Sequence, residues 1–229
     1  LLEDIGAISR RNIYRIAAGT GMQECDFCDG SYQYHEIIEC ITCALDARDA
    51  YTAGHSQRVS DMALKICQML GLEEEEVERI HIAAHLHDIG KIGVADSVLK
   101  KEGRLTEEEY EEMKKHPAIG AEILSKSKAL GELSEIVLMH HERYDGTGYP
   151  TKTKGTKIPL DARIIAICDS IDAITSNRCY RKAHDFTFCY EEIERNLGKM
   201  YDPEIGEFVL EHWEEVTGHK RPLEKFENK

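Results

Sequence analysis

The sequence has no apolar run close to the roughly 18–20 residues that a membrane-spanning helix needs. No transmembrane helix is therefore expected in these 229 residues. A signal-peptide pattern is also missing, and the first residue is Leu1 rather than Met, so the chain is read as part of a longer protein working in the cytoplasm. Positive charge is scarce: 29 Lys and Arg stand against 43 Asp and Glu, a formal charge of −14. That balance excludes counterion-release binding to DNA or long RNA. It also means that an anionic substrate must be drawn in by a local feature rather than by the bulk field. The eight cysteines, at 25, 28, 40, 43, 67, 168, 179 and 189, are too few for a disulfide scaffold, which needs about 8–10% Cys. Strand-type alternation is missing except around residues 151–158, and there is neither an internal repeat nor a low-complexity linker. What is left is an all-α class.

Helical periodicity is what the chain does have. A short amphipathic stretch (5–18) leads into Gly19-Thr20-Gly21 and a cysteine-containing segment, so residues 1–34 are set apart from a main domain of 35–229. Residues 35–50 place Ile37, Ile38, Ile41, Ala44 and Leu45 on one stripe, and residues 56–70 do the same with Val59, Met62, Ala63, Ile66 and Leu70. Gly71 is a natural helix stop. The next helix, 73–87, opens on four glutamates that suit a helix N-terminus. Thr106-x-x-Glu109 is a capping box for a helix that Pro117 is expected to kink. Further helices are predicted at 132–142, 160–176, 187–197 and 203–216. The glutamate runs are read as solvated helix faces.

The chemistry is carried by histidines and aspartates. His87-Asp88-Ile89-Gly90-Lys91 follows the apolar run Ala83-Ala84-His85-Leu86, where an unsatisfied imidazole and carboxylate would be costly. A divalent metal satisfies both, and a carboxylate can bridge two ions. His140-His141-Glu142 ends another helix and runs into Asp145-Gly146-Thr147-Gly148-Tyr149-Pro150. His116 stands before Pro117, His55 after Gly54 at a helix start, and Asp169 inside the apolar stretch 164–168. Five histidines and two aspartates at helix ends or in apolar settings are not incidental.

These motifs resemble the HD-GYP family, a branch of the HD phosphohydrolases. The resemblance rests on His87-Asp88-x-Gly90-Lys91 and on His140-His141-Glu142-x-x-Asp145-Gly146-x-Gly148-Tyr149-Pro150. It extends upstream to Tyr51-Thr52-Ala53-Gly54-His55-Ser56-x-Arg58-Val59. Downstream it takes in Pro159, Arg163, Asp169, Asp172, Ala173, Arg178, Tyr180 and Arg181, over roughly residues 46–200 in all. The resemblance implies a helical HD-domain bundle with extra C-terminal helices and a metal-dependent phosphodiesterase acting on cyclic di-GMP. His55, His87, Asp88 and Asp169 would hold one ion, and Asp88 would bridge to a second held by His116, His140 and His141. Asp88 and Lys91 would serve catalysis, Lys91 by reaching a phosphate oxygen. Arg178 and Arg181 would grip the ligand's phosphates. Gly148, Tyr149 and Pro150 would shape the pocket lip and take part in docking diguanylate cyclase domains. A sensory domain would precede the chain.

Two ions about 3.5–4 Å apart hold a bridging hydroxide and neutralise phosphate oxygens. In-line attack with departure of the 3′-oxygen gives linear pGpG first, with GMP as the product of a second cut. Three-metal members of the family carry a glutamate where Tyr51 stands here, so two ions are expected. Imidazole and carboxylate without thiolate suit iron or manganese, with zinc or nickel as substitutes, and the resemblance favours iron. Three other readings differ in class or substrate: a binding module that senses the ligand or docks a cyclase without turnover, a hydrolase of another cyclic dinucleotide such as cyclic GMP–AMP, and a di-iron redox enzyme.

Some residues fall outside these motifs. Cys25-x-x-Cys28 and Cys40-x-x-Cys43 have zinc-like spacing, but Cys40 and Cys43 flank isoleucines on one helix and are expected in the core. His81 and His85, four apart, are read as packing or support for the metal ligands. His35, His184, His212 and His219 are read as surface residues, and Trp213 as the core of a terminal helix.

Overall fold

A computed structural model of the chain describes residues 30–48, 54–177 and 182–222, with side chains from His35 onward. Cys25, Cys28, Tyr51, Arg178 and Arg181 lie outside the described residues. The helices after Tyr34 pack as one compact unit. Among the described residues there is no β-strand, only an isolated bridge between Leu197 and Tyr201, and residues 155–157 of the segment where alternation was noted form a 3₁₀ turn. No described helix is long and apolar enough to cross a membrane.

The centre is a helical hairpin, α2 (His55–Leu70) and α3 (Glu74–Leu86), with α1 (Gly30–Arg48) preceding it. Helix α2 buries Val59, Met62, Ala63, Ile66 and Cys67 at helical spacing. It stops at Gly71, whose φ of 71° is left-handed and whose neighbour Leu72 donates back to the Cys67 carbonyl, closing the last turn. Helix α3 starts on a reciprocal Glu73/Glu76 capping box, and its first-turn acids complement the helix dipole. It runs into a 3₁₀ turn, Ile89–Gly93, and the short α4 (Asp96–Leu99).

Then follow α5 (Glu107–Met113), opened by the Thr106/Glu109 capping box, and α6 (His116–Ser125). The expected kinked helix is in fact two helices. Pro117 sits in the first turn of α6, where its missing N–H has no intrahelical partner to lose, so it starts a helix instead of bending one. Helix α7 (Ser134–Met139) ends before the His140-His141 pair, so both histidines occupy the turn beyond it. Helix α8 (Leu160–Thr175) packs on α2, and α9 (Phe186–Arg195) packs on α8. The last predicted helix is interrupted at His212 into α10 (Pro203–Glu211) and α11 (Trp213–Thr217), with Trp213 fully buried.

Helix α1 corrects its expected stripe. Ile38 and Thr42 are buried, while Ile37 is 57% and Ile41 38% exposed, and Cys40 and Cys43 face solvent rather than the core. The inward face is therefore His35, Ile38, Thr42 and Leu45, offset from the isoleucine ridge. At the C-terminal end of α1, Arg48 donates to the carbonyls of Lys91 (2.7 Å), Ile92 (2.8 Å) and Val94 (2.6 Å). It thereby holds the turn that follows His87-Asp88.

Candidate metal centre

Three histidines reach the same point from three helix ends by one device. His87 Nδ1 donates to the carbonyl of Ala84 at 2.7 Å, His116 Nδ1 to Met113 at 2.8 Å and His140 Nδ1 to Val137 at 2.6 Å. Each carbonyl lies in the final turn of a helix, where some carbonyls have no intrahelical partner. With the Nδ1 proton so committed, each ring keeps its lone pair on Nε2 and aims it inward. The glycine of the His87-Asp88-x-Gly90 segment lets this happen. A Cβ on Gly90 would collide with the His116 carbonyl oxygen and the Gly120 nitrogen, so only glycine lets the 3₁₀ turn press against α6.

His55, at the start of α2, is set differently. Its Nδ1 lies 2.6 Å from Asp172 Oδ2 on α8, and Arg58 pairs with the same carboxylate. Its Nε2 then faces Asp169 Oδ1 (3.3 Å) and Asp88 Oδ2 (3.7 Å). Asp88 divides its oxygens: Oδ1 is 3.2 Å from His116 Nε2, and Oδ2 is 3.4 Å from His87 Nε2. Lys91 Nζ is 2.6 Å from Asp88 Oδ2, the charge nearest the shared carboxylate.

All seven predicted ligand residues are thus brought together in two sets. Ligand atoms of Asp88, His116, His140 and His141 lie within 4.8 Å of one another, as do those of His55, His87 and Asp169. Two observations fit cations here. Nε2 of His55 and of His87 is buried without a hydrogen-bond partner of good geometry. Nε2 of His116 and of His140 face each other at 3.4 Å, although both rings hold their proton on Nδ1. Lone pairs converging without a proton between them are what a divalent ion relieves.

The electrostatics agree. Burial works to raise the pKa of Asp88, but Lys91 and His87 hold it well below the usual carboxylate range. Asp169 is likewise held well below, against burial, chiefly by His55. Burial lowers His55, yet the carboxylates of Asp169 and Asp172 outweigh it and push the imidazole up to about 9. Burial and neighbouring imidazoles keep His140 well below its ordinary value and bring His141 down to about 3. The carboxylates of Asp88 and Asp169 are thus ionised and His140 and His141 neutral, the protonation states that ligate metal, while His55 would give up its proton to an ion.

The Gly148-Tyr149-Pro150 segment forms one wall. The Tyr149 ring lies 5.0 Å from that of His141, Gly148 is buried, and Pro150 is exposed. A Cβ on Gly148 would strike the Arg143 nitrogen and the Glu142 backbone. Buried Glu142 accepts from Thr151 N (2.6 Å), Thr151 Oγ1 (2.8 Å) and Lys152 N (3.0 Å), which fastens the far end of the loop. Sequence reasoning gave no role to Asp172, Glu142 or Arg48. A carboxylate three residues after Asp169 on the same helix face was the signal for the first. His35, expected at the surface, is half-buried against His81 and His85.

A family model described as an HD domain matches residues 39–205. The chain is 42% identical over 186 residues to a cyclic di-GMP phosphodiesterase of Thermotoga maritima, covering 80% of this chain and 50% of that protein. It is 43% identical over 179 residues to the cyclic di-GMP phosphodiesterase response regulator RpfG of Xanthomonas campestris, covering 76% and 47%. It is 37% identical over 190 residues to a 3′3′-cGAMP-specific phosphodiesterase of Vibrio cholerae, covering 82% and 36%. The chain therefore spans half or less of the length of these relatives. Among solved structures, a cyclic GMP-AMP-specific phosphodiesterase of V. cholerae superposes with a TM-score of 0.63 at 20% identity, over 80% of this chain and 50% of that one, a likeness of fold.

Proposed function

The chain belongs to the HD-domain family, in its HD-GYP branch, and on that premise we propose that it is a metal-dependent phosphodiesterase that opens cyclic di-GMP to linear pGpG. One observation carries the reading: the two ligand sets flank Asp88, whose Oδ1 faces His116 and Oδ2 faces His87, and Nδ1 of His55, His87, His116 and His140 is in each case already engaged by a backbone carbonyl or by Asp172. His55, His87, Asp88 and Asp169 would hold one ion, and Asp88, His116, His140 and His141 the other. When bound, such a pair acidifies water near neutral pH and offsets the charge that makes a phosphodiester resist attack.

The chain's own residues do the rest. Lys91, already beside Asp88, places an ammonium where a phosphate oxygen would arrive. Tyr149 keeps His141 in place and closes one side of the site. Arg178 and Arg181 are assigned to the ligand's phosphates on resemblance. Iron or manganese is the proposed metal pair, and Tyr51 supports two ions rather than three at this centre. Residues 35–229 are assigned to catalysis, residues 1–34 to the end of an upstream sensory region, and the whole to the cytoplasm. The loop around Pro150 is the surface assigned to a diguanylate cyclase domain.

The test is an anaerobic assay of metal-stripped protein reloaded with Fe(II) or Mn(II). We expect pGpG to form only after reloading, and His87→Ala and Asp88→Ala to abolish turnover. Ligand binding by the loaded protein without any pGpG would overturn the reading. Similarity to a cGAMP-specific relative makes cyclic GMP–AMP the second substrate to compare; the expected order of kcat/KM is cyclic di-GMP first.

A further inference from the structure

A second histidine cluster stands apart from the residues assigned above. His35 on α1 meets His81 and His85 on α3, with ring centroids 5.1 Å (His35–His81), 5.3 Å (His35–His85) and 4.8 Å (His81–His85) apart. One ring nitrogen from each of the three lies within 4.8 Å of the others. His81 and His85 share a helix face because they are four residues apart.

Packing alone accounts poorly for this trio. His85 is 1% exposed, and neither of its ring nitrogens has a hydrogen-bond partner. An unsatisfied buried polar atom costs about 1–3 kcal/mol, and native cores rarely leave both ends of one imidazole unpaired. His81 is pre-set for ligation. Ser60 Oγ donates to the His81 carbonyl at 3.0 Å, so its lone pair takes the proton of His81 Nδ1 at 2.6 Å, and Nε2 of His81 is left with its lone pair. The carboxylate of Glu39 lies 3.3 Å from Nε2 of His35. It supplies negative charge at the cluster's open side.

We infer that His35, His81 and His85 form a separate site for a borderline transition-metal dication of the Zn²⁺ type, with Glu39 or water as the fourth ligand. Three imidazoles and one oxygen suit tetrahedral zinc, whose bonds to nitrogen of about 2.0–2.1 Å place ligand nitrogens about 3.3 Å apart. Half-buried His35 is the side chain with room to close that distance. The ion would act as a clip. Helix α1 already reaches α3 through Thr42, whose hydroxyl lies 3.4 Å from the His85 carbonyl, and it ends at Arg48 on the turn after Asp88. Metal at His35 would fasten the opposite end of that contact. It would thus tie His35 of α1 to the helix that delivers His87 and Asp88.

The experiment is zinc analysis of the whole chain after saturation with Zn²⁺ and removal of excess, for wild type, His35→Ala and His81→Asn, with thermal melting of each with and without zinc. His85 is left unchanged because it is core. We expect each variant to hold one zinc fewer per chain than wild type and to lose part of the zinc-dependent rise in Tm, because an ion bound only by the folded state stabilises it. His35→Ala combined with Asp88→Ala should lose this ion in addition to those lost by Asp88→Ala alone, which separates the clip from the centre at Asp88. Equal zinc content in wild type, His35→Ala and His81→Asn would overturn the inference.

Discussion

The imidazole of His55 and the carboxylate of Asp172, 117 positions apart in the chain, meet at 2.6 Å between Nδ1 and Oδ2. Asp172 also accepts from Arg58 Nε at 2.5 Å and Nη2 at 3.1 Å, so one carboxylate ties the first turn of α2 to α8 and orients His55, a proposed metal ligand. We expect Asp172→Asn to leave the helices intact and to weaken metal binding about 10–100-fold, the usual effect of removing a carboxylate behind a ligating histidine. Metal titration followed by turnover at saturating metal checks it. Asp172 is a positioning residue, so high metal should restore much of the rate. An affinity equal to wild type would sink the assignment.

Gly90 should tolerate no side chain. A Cβ there would overlap the His116 carbonyl oxygen and crowd the Gly120 nitrogen, both backbone atoms that no rotamer change can move. Overpacking commonly costs about 1–3 kcal/mol, and a clash with backbone on two sides belongs at the upper end. We expect Gly90→Ala to melt well below wild type and to lose metal, since His87 and His116 would be driven apart. A melt within a degree of wild type would contradict the packing described here.

Arg48 should matter more than an exposed helix-end arginine usually does. Its guanidinium spans the carbonyls of Lys91, Ile92 and Val94 and also pairs with Asp96 at 2.7 Å. Lysine carries the same charge but cannot present that planar fork. We expect Arg48→Lys to cost roughly 1–2 kcal/mol of stability, a few hydrogen bonds to a charged donor, and to lower turnover, measured by denaturant melts and initial rates at fixed metal. Arg48→Lys with wild-type melting and rate would show that the turn after Asp88 stands without it.

Much of the centre was legible because its residues break local rules. His87-Asp88 after an apolar run, two histidines ending a helix, and Asp169 in an isoleucine stretch all invite a metal, and the structure places them within reach of one another. What was not legible depends on which face of a helix turns inward. On α1 the isoleucines suggested one face, while packing on α3 chose His35, Ile38 and Thr42, leaving Ile37, Cys40 and Cys43 in solvent. His35 could not be joined to His81 and His85 without that rotation. Pro117 was misread for a related reason: proline breaks a helix interior but starts a helix equally well, and only the break at Lys114 and Lys115 tells which.

Asp88 should be worth two ions where its neighbours are worth one. Its Oδ1 faces His116 at 3.2 Å, whereas its Oδ2 faces His87 at 3.4 Å and His55 at 3.7 Å, so on the proposed two-ion reading each oxygen would serve a different ion. Removing His141 takes one ligand from one set only, and removing His55 one ligand from the other. We therefore expect manganese-saturated His141→Ala and His55→Ala each to lose about one ion per chain relative to wild type, and Asp88→Ala to lose both. Counting differences against wild type keeps the result independent of any ion held at His35. Turnover should fall at least about 10³-fold in Asp88→Ala, because charge neutralisation by metal and the nucleophile it provides are lost together. Equal losses of one ion in Asp88→Ala and His141→Ala would place Asp88 in a single set, and the shared-carboxylate centre would have to be abandoned.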